Sequence, residues 1–219
     1  MLTYETITKN DAIRTYIIQA DRSLEALGYT EHSFAHVIHT AETAGSILET
    51  LGYDARTVEL AKIAGYLHDI GNLVNRSDHS QSGAVMVWSI LNDMHCDPAE
   101  IATIVTAIGN HDEGNGVPVN PVAAALILAD KADVRRSRVR NPDTVTHDIH
   151  DRVNYSVMDA RLEIDREQKT LELKLTIDPQ LGSVMDYFEI FMGRMLLCRR
   201  ASEKLGLRFR LNINNQQLL

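Results

Sequence analysis

A mainly α fold is predicted for this chain: a helical bundle followed by a small β-β-α-β extension. Three observations predict it. Apolar residues recur at helical spacing through about the first 155 residues, the segments between them are bounded by cap and stop residues, and strict alternation takes over near residue 160. The expected division is a helical unit over residues 1–155 and an extension over 156–219 packed on it.

A first helix is expected from Lys9 to Gly28, with glycine as its stop. A second covers Ser33 to Leu51 and ends at Gly52. A third starts after Asp54, a good N-cap, and reaches the "HDIG" segment. A fourth covers His79 to Asp93. The fifth opens on Asp97-Pro98, with Glu100 where a capping box places it. The sixth opens on Asn120-Pro121 and runs through "VAAALILADKADVRR"; a seventh follows "NPDT". Beyond it, Leu162 and Ile164, then Leu171, Leu173, Leu175 and Ile177, alternate around the polar turn "DREQKT". A helix ending at Gly206 and a third strand, "LRFRLNI", complete the extension. That helix is apolar around most of its circumference and needs cover on more than one side. Its own sheet and the bundle are one cover; a second copy in a homodimer is another.

The 219 residues carry 44% hydrophobic side chains and a net charge of −8. An acidic chain is a poor partner for a nucleic-acid polymer, whose binding rests on many lysine and arginine contacts. A small nucleotide in a local basic pocket stays compatible with it. Cys96 and Cys198 form no CxxC pair and read as reduced thiols. The N-terminal stretch has early acids and no apolar leader, and no run is long enough to span a membrane. A cytoplasmic location with no membrane partner is the expectation.

The segment "AGYLHDIGNLV" (residues 64–74) poses the chemical question. Leu60, Ile63, Ala64, Leu67 and His68 share one helical face, with Asp69 beside them. A bare carboxylate buried there is costly and needs a partner. Elsewhere, Asp130 follows the apolar stripe of Ala123, Leu126 and Ile127. His111 ends the stripe of Ile101, Ile104 and Ile108, and His79 begins that of Gly83, Met86, Val87 and Ile90. His36 opens the second helix beside Val37, Ala41, Ala44 and Leu48. Taken singly, each is a hydrogen-bonded core histidine or a capping acid. Taken together, four histidines and two aspartates point from five helices toward one interior, and imidazole with carboxylate is a ligand set for divalent transition metals.

The order His36, then His68-Asp69, then Asp130 in "LADKAD" resembles the H…HD…D pattern of the HD superfamily of metal-dependent phosphohydrolases. The resemblance covers about residues 30–140. It implies that His36, His68, Asp69 and Asp130 bind one metal. His79 and His111 would be the extra histidines of members with two metals, with Asp69 bridging. The subset most similar includes symmetrical diadenosine tetraphosphate hydrolases and mixed-valent di-iron oxygenases. The implied cofactor is one or two divalent ions, iron or manganese first, with nickel, cobalt and zinc also suited.

The implied function is hydrolysis of a phosphate ester or anhydride in a nucleotide, dinucleotide or other small phosphorylated molecule. The alternatives are a di-iron oxygenase on the same ligands and a non-catalytic metal-containing sensor or interaction module. Catalytic candidates are Asp69, Lys131 and Asp112, the last as proton donor or orienting group; its bland reading is a solvated loop acid. Substrate candidates are Lys131, Arg135 and Arg138, within a run that includes Arg136 and Arg140, and His32, one turn before His36. The competing reading of the arginines is a solvated basic face favoured by a helix C-terminus. His39, His95, His147 and His150 are expected at the surface or rim.

Overall fold

The computed structural model describes residues 2–140 and 149–219. Among them the order is α1 (Tyr4–Thr8), α2 (Asp11–Ala26), α3 (Phe34–Thr50), α4 (Ala55–Leu67), α5 (His79–Asp93), α6 (Pro98–Gly109), α7 (Pro121–Ala132) and α8 (Ile149–Ser156). Strands β1 (Val157–Asp165) and β2 (Thr170–Ile177), helix α9 (Val184–Lys204), and strands β3 (Arg208–Ile213) and β4 (Gln216–Gln217) follow. A short 3-10 turn, Ile70–Leu73, links α4 to α5, and another spans Arg136–Arg138. His147 lies outside the described residues, as does the side chain of His150.

Helix starts follow their caps. Ser33, Asp54, Asp97 and Asn120 each accept backbone N–H groups of the first turn through their side chains. The helix expected over Lys9–Gly28 is α2, capped by Asn10, and a short α1 that the sequence did not announce precedes it. Two expectations need correction. Glu100 makes no capping box; its carboxylate takes the Arg56 guanidinium instead. Helix α7 stops at Ala132, since Asp133 (φ −81°, ψ 78°) leaves helical geometry, so the arginines after it form no helical face.

Two glycines set helix spacing where the site forms. A Cβ on Gly65 of α4 would lie 2.6 Å from the Ala41 Cα of α3, closer than atoms tolerate. A Cβ on Gly71 would lie 2.0 Å from the His79 carbonyl oxygen and 2.5 Å from the Gly83 nitrogen. Bare backbone at these points lets α3, α4, the 3-10 turn and α5 close on one another.

The sheet order is β1-β2-β3-β4, antiparallel at β1/β2 and β3/β4 but parallel at β2/β3, with α9 as the crossover. Leu171, Leu173, Leu175 and Ile177 of β2 and Phe209, Leu211 and Ile213 of β3 face inward. They join Tyr187, Phe191, Met195 and Cys198 of α9 in an apolar cluster continuous with the bundle. Helix α9 packs against α7 as well as β3, while Met185, Met192 and Leu196 stay exposed on its far side. Among the described residues, no helix is long and apolar enough to cross a membrane.

Candidate metal centre

Six side chains meet where helix ends converge. His36 lies in the first turn of α3, His68 is the C-cap of α4, and Asp69 follows at the start of the 3-10 turn. His79 opens α5 after Asp78, whose left-handed φ of 56° turns the chain into the helix. Asp130 sits in the last turn of α7. His111 lies two residues beyond α6 rather than on its apolar stripe, because Asn110 (φ −116°) has left the helix. His36, His68, His79, His111, Asp69 and Asp130 are all buried.

The hydrogen bonds fix which imidazole nitrogens face inward. Nδ1 of His68 donates to Gly65 O at 2.8 Å, Nδ1 of His79 to Arg76 O at 3.1 Å, and Nδ1 of His111 to Ile108 O at 2.6 Å. A carbonyl only accepts, so the proton must sit on Nδ1 and a neutral ring turns an Nε2 lone pair into the cluster. His36 does the same through Nδ1 to the Asp133 carboxylate at 2.8 Å. The inward atoms crowd together: Nε2 of His36 and His68 lie 3.3 Å apart, and Nε2 of His79 and His111 lie 3.2 Å apart. Two lone pairs at that distance repel unless a proton or cation stands between them.

The carboxylates lie among these nitrogens. Asp69 Oδ2 lies 3.2 Å from His68 Nε2 and 3.5 Å from His36 Nε2, whereas its Oδ1 lies 3.5 Å from His79 Nε2. Asp130 Oδ1 is 3.4 Å from His36 and 3.7 Å from His68. The sets His36-His68-Asp130 and His68-Asp69-His111 each present ligand atoms within 4.8 Å of one another. Asn72 Nδ2 donates to Asp69 Oδ1 at 3.0 Å and steadies that carboxylate.

The charge states divide the cluster. Burial opposes ionisation of Asp69, but the neighbouring histidines, His68 foremost, hold its carboxyl well below the usual range. Burial likewise opposes ionisation of Asp130, and Lys131 with the imidazoles outweighs it. Burial pushes His111 well below the ordinary histidine value, with His68 and Lys131 adding to it, and burial lowers His79 as well. That pair is therefore neutral near pH 7, and neither ring supplies a proton between the facing nitrogens. His68 behaves oppositely: burial is overcome by Asp69 and Asp130, which lift it to about 10.

Other expected site residues fall less simply. Lys131 is 4% exposed and its Nζ is enclosed by Asp130 Oδ2 at 2.8 Å, Glu113 Oε2 at 2.9 Å and Asp112 Oδ1 at 3.9 Å. It forms ion pairs with the acids at the rim of the cluster. Arg135, expected at the substrate, donates from Nε and Nη2 to the Asp133 carboxylate that also holds His36. Arg138 is buried, donates from Nη1 to Asp133 O at 2.7 Å and lines a cleft beside the cluster. His32 lines the same cleft, and its ring centroid is 5.5 Å from that of His36. Asp112 stands next to His111 with its pKa raised, by burial first and then by Glu113. His39 and His95 are exposed.

That cleft has a volume of about 430 Å³. Arg76 and Arg194 line it too, and helical periodicity did not single out either one. Nor did it find Asp133 behind His36 or Glu113 between Lys131 and Arg194. A larger groove of about 650 Å³ between α3 and β1 touches none of the six cluster residues.

The HD domain family model matches residues 33–137, a span that holds all six. This segment of the chain is similar to the HD domain. The uncharacterized protein MJ1020 of Methanocaldococcus jannaschii is 25% identical over 204 residues, covering 82% of this chain and 77% of the relative. Ribonuclease Y of Bacillus pumilus is 29% identical over 113 residues, 52% of this chain but only 20% of the relative. Ribonuclease Y 1 of Pediococcus pentosaceus is 30% identical over 125 residues, and the chain spans 22% of it. The crystal structure of a predicted HD superfamily hydrolase from an uncultured Thermotogales bacterium superposes with a TM-score of 0.46 at 23% identity, over 60% of this chain and 73% of that one. HD domains bind divalent metals, and the His/Asp groups of this chain are positioned to hold one.

Proposed function

We propose that this protein is a metal-dependent phosphohydrolase that opens a phosphate ester or anhydride in a nucleotide, dinucleotide or other small phosphorylated molecule. The observation that carries the reading is the 3.2 Å approach of two neutral, buried Nε2 atoms, His79 to His111, beside a carboxylate whose two oxygens face different histidine pairs. Such an arrangement fits two cations with Asp69 between them. All donors are nitrogen or oxygen, which suits iron or manganese, and zinc, nickel or cobalt as well. Bound divalent ions supply a water that ionises near neutral pH and positive charge for a phosphoryl oxygen.

The chain's own groups do the remaining work. His36, His68 and Asp130 would hold one ion, His79 and His111 the other, and Asp69 would fix the spacing. Lys131 offsets the charge of Asp130 and Glu113, keeping the acids of the rim from repelling a phosphate. Asp112, its pKa raised, is the rim carboxyl best placed to hold a proton for a leaving oxygen. Two relatives named as ribonucleases match only over part of their length, so RNA belongs among the substrates tried. The net charge of −8 favours the small molecule.

The test is a purified protein loaded with Mn²⁺ or Fe²⁺, assayed for phosphate release against mono-, di- and dinucleotides and an RNA oligomer. Release that disappears in His68→Ala and Asp130→Ala supports the reading. A metal-loaded protein inert on the whole panel, or one whose oxygen uptake depends on substrate instead, defeats it.

A further inference from the structure

Beside the metal cluster lies a cleft whose chemistry the six ligands do not use. Three guanidinium groups, Arg76, Arg138 and Arg194, line it together with His32. Asp151 is its one carboxylate among the described residues. That is a local excess of positive charge in a chain of net charge −8. Two of its lining residues lie against the cluster. Arg76 Nη1 lies 3.5 Å from His79 Nε2, and the His32 ring meets the His36 ring at 5.5 Å between centroids.

We propose that this cleft is an anion subsite for a second phosphoryl group, so that the substrate is a chain of two or more linked phosphates, with Arg76 and Arg194 as the specificity-determining contacts. The inference rests on the phosphohydrolase reading for its reaction and on the cleft alone for its binding.

The arginines are positioned before any ligand arrives. Arg138 is fixed by Glu31 O at 3.0 Å and Asp133 O at 2.7 Å. Arg194 is anchored by Glu113 and lies 4.4 Å above the Phe191 ring. Arg76 is steadied by Asn72 Oδ1 at 3.3 Å and lies 5.6 Å over Tyr29, yet has no ion pair among the described residues. A guanidinium that faces a cleft and forms no ion pair among the described residues is suited to a phosphate. Because guanidiniums already cover the Tyr29 and Phe191 faces, the cleft favours an anion over a stacking base. Its volume, about 430 Å³, exceeds what one phosphate needs and falls within the range of small-molecule sites.

The experiment titrates inorganic tripolyphosphate and orthophosphate into the metal-free 219-residue chain by calorimetry. Tripolyphosphate is expected to bind at least about tenfold tighter than orthophosphate. Arg76→Ala and Arg194→Ala should each weaken it by about tenfold or more, the scale of one charge-assisted contact, with Arg76→Lys recovering part. Arg161→Ala, on exposed β1, should leave it unchanged and so exclude a bulk charge effect. Equal affinities for the two anions, or tripolyphosphate binding indifferent to Arg76 and Arg194, would overturn the subsite. Arginine-dependent binding without phosphate release by the Mn²⁺-loaded protein would leave the subsite standing and remove the hydrolase reading. Hydrolysis of monophosphates with arginine-independent tripolyphosphate binding would do the reverse.

Discussion

Asp133 accepts the Nδ1 proton of His36 at 2.8 Å, although 97 residues separate them in the chain. It thereby fixes the ring so that Nε2 faces Asp69 and Asp130. Burial works against the Asp133 charge, yet His36 and Arg135 hold its carboxyl far below the usual range, so it accepts at any physiological pH. Partners of this kind raise the basicity of a ligating imidazole and set its tautomer. Asp133→Asn is expected to weaken metal affinity by about ten- to a hundredfold while leaving the helical circular dichroism intact. A competition titration with a fluorescent chelator measures it, with His36→Ala as the benchmark for loss of the ligand itself.

The two proposed half-sites predict a stoichiometry. His111→Ala removes a ligand from one half and leaves His36, His68 and Asp130 in place. Native mass spectrometry of the Mn²⁺-loaded protein should show two ions in the wild type and one in this variant. Asp69→Ala should weaken both, because its two oxygens face different histidine pairs. Two ions retained in His111→Ala, or one ion in the wild type, would remove the dinuclear description.

Much of this was legible in the sequence, for identifiable reasons. Ser33, Asp54, Asp97 and Asn120 announced helix starts because capping is chemistry between neighbours. The alternation of β2 and β3 showed which faces are buried, but their parallel pairing across α9 is a relation between distant segments. The inward histidines and aspartates stood out because polar groups broke apolar stripes. Asp133 broke none: it lies just past the end of α7, where periodicity has no meaning. Arg76 sits in irregular chain between the 3-10 turn and α5, and Arg194 reaches the cleft from the C-terminal helix. Neither carries a local signal, because only tertiary packing brings them to the cluster.

Close backbone approach gives a third prediction. A methyl group on Gly65 would meet the Ala41 Cα at 2.6 Å and its nitrogen at 2.8 Å, and backbone atoms have no rotamer by which to move away. Gly65→Ala should therefore push α3 from α4 and separate His36 from His68. The expected loss of stability is about 1–3 kcal/mol, the usual scale for overpacking, read from urea denaturation. Metal affinity should fall with it. By contrast Gly109→Ala, whose Cβ would meet Ala84 Cβ at an ordinary 3.6 Å, should change stability little and metal binding not at all.

The last prediction concerns acid. Glu113 joins Lys131 of α7, at 2.9 Å, to Arg194 of α9. Burial raises the carboxyl's pKa, but the two cations outweigh it and hold the group far below the ordinary glutamate value. A carboxyl depressed on folding stabilises the native state fully above its unfolded pKa, near 4.3. That stabilisation fades as the pH falls below that value, because the unfolded chain then takes up a proton that the folded one resists. Glu113→Gln should cost about 1.5–3 kcal/mol at pH 7, the scale of hydrogen bonds to charged groups. The difference between wild type and variant should shrink progressively from about pH 4.3 downward. Urea denaturation of both proteins between pH 7 and 3 measures it, and a gap that is constant across that range would show that the Glu113 charge does not tie α9 to the bundle.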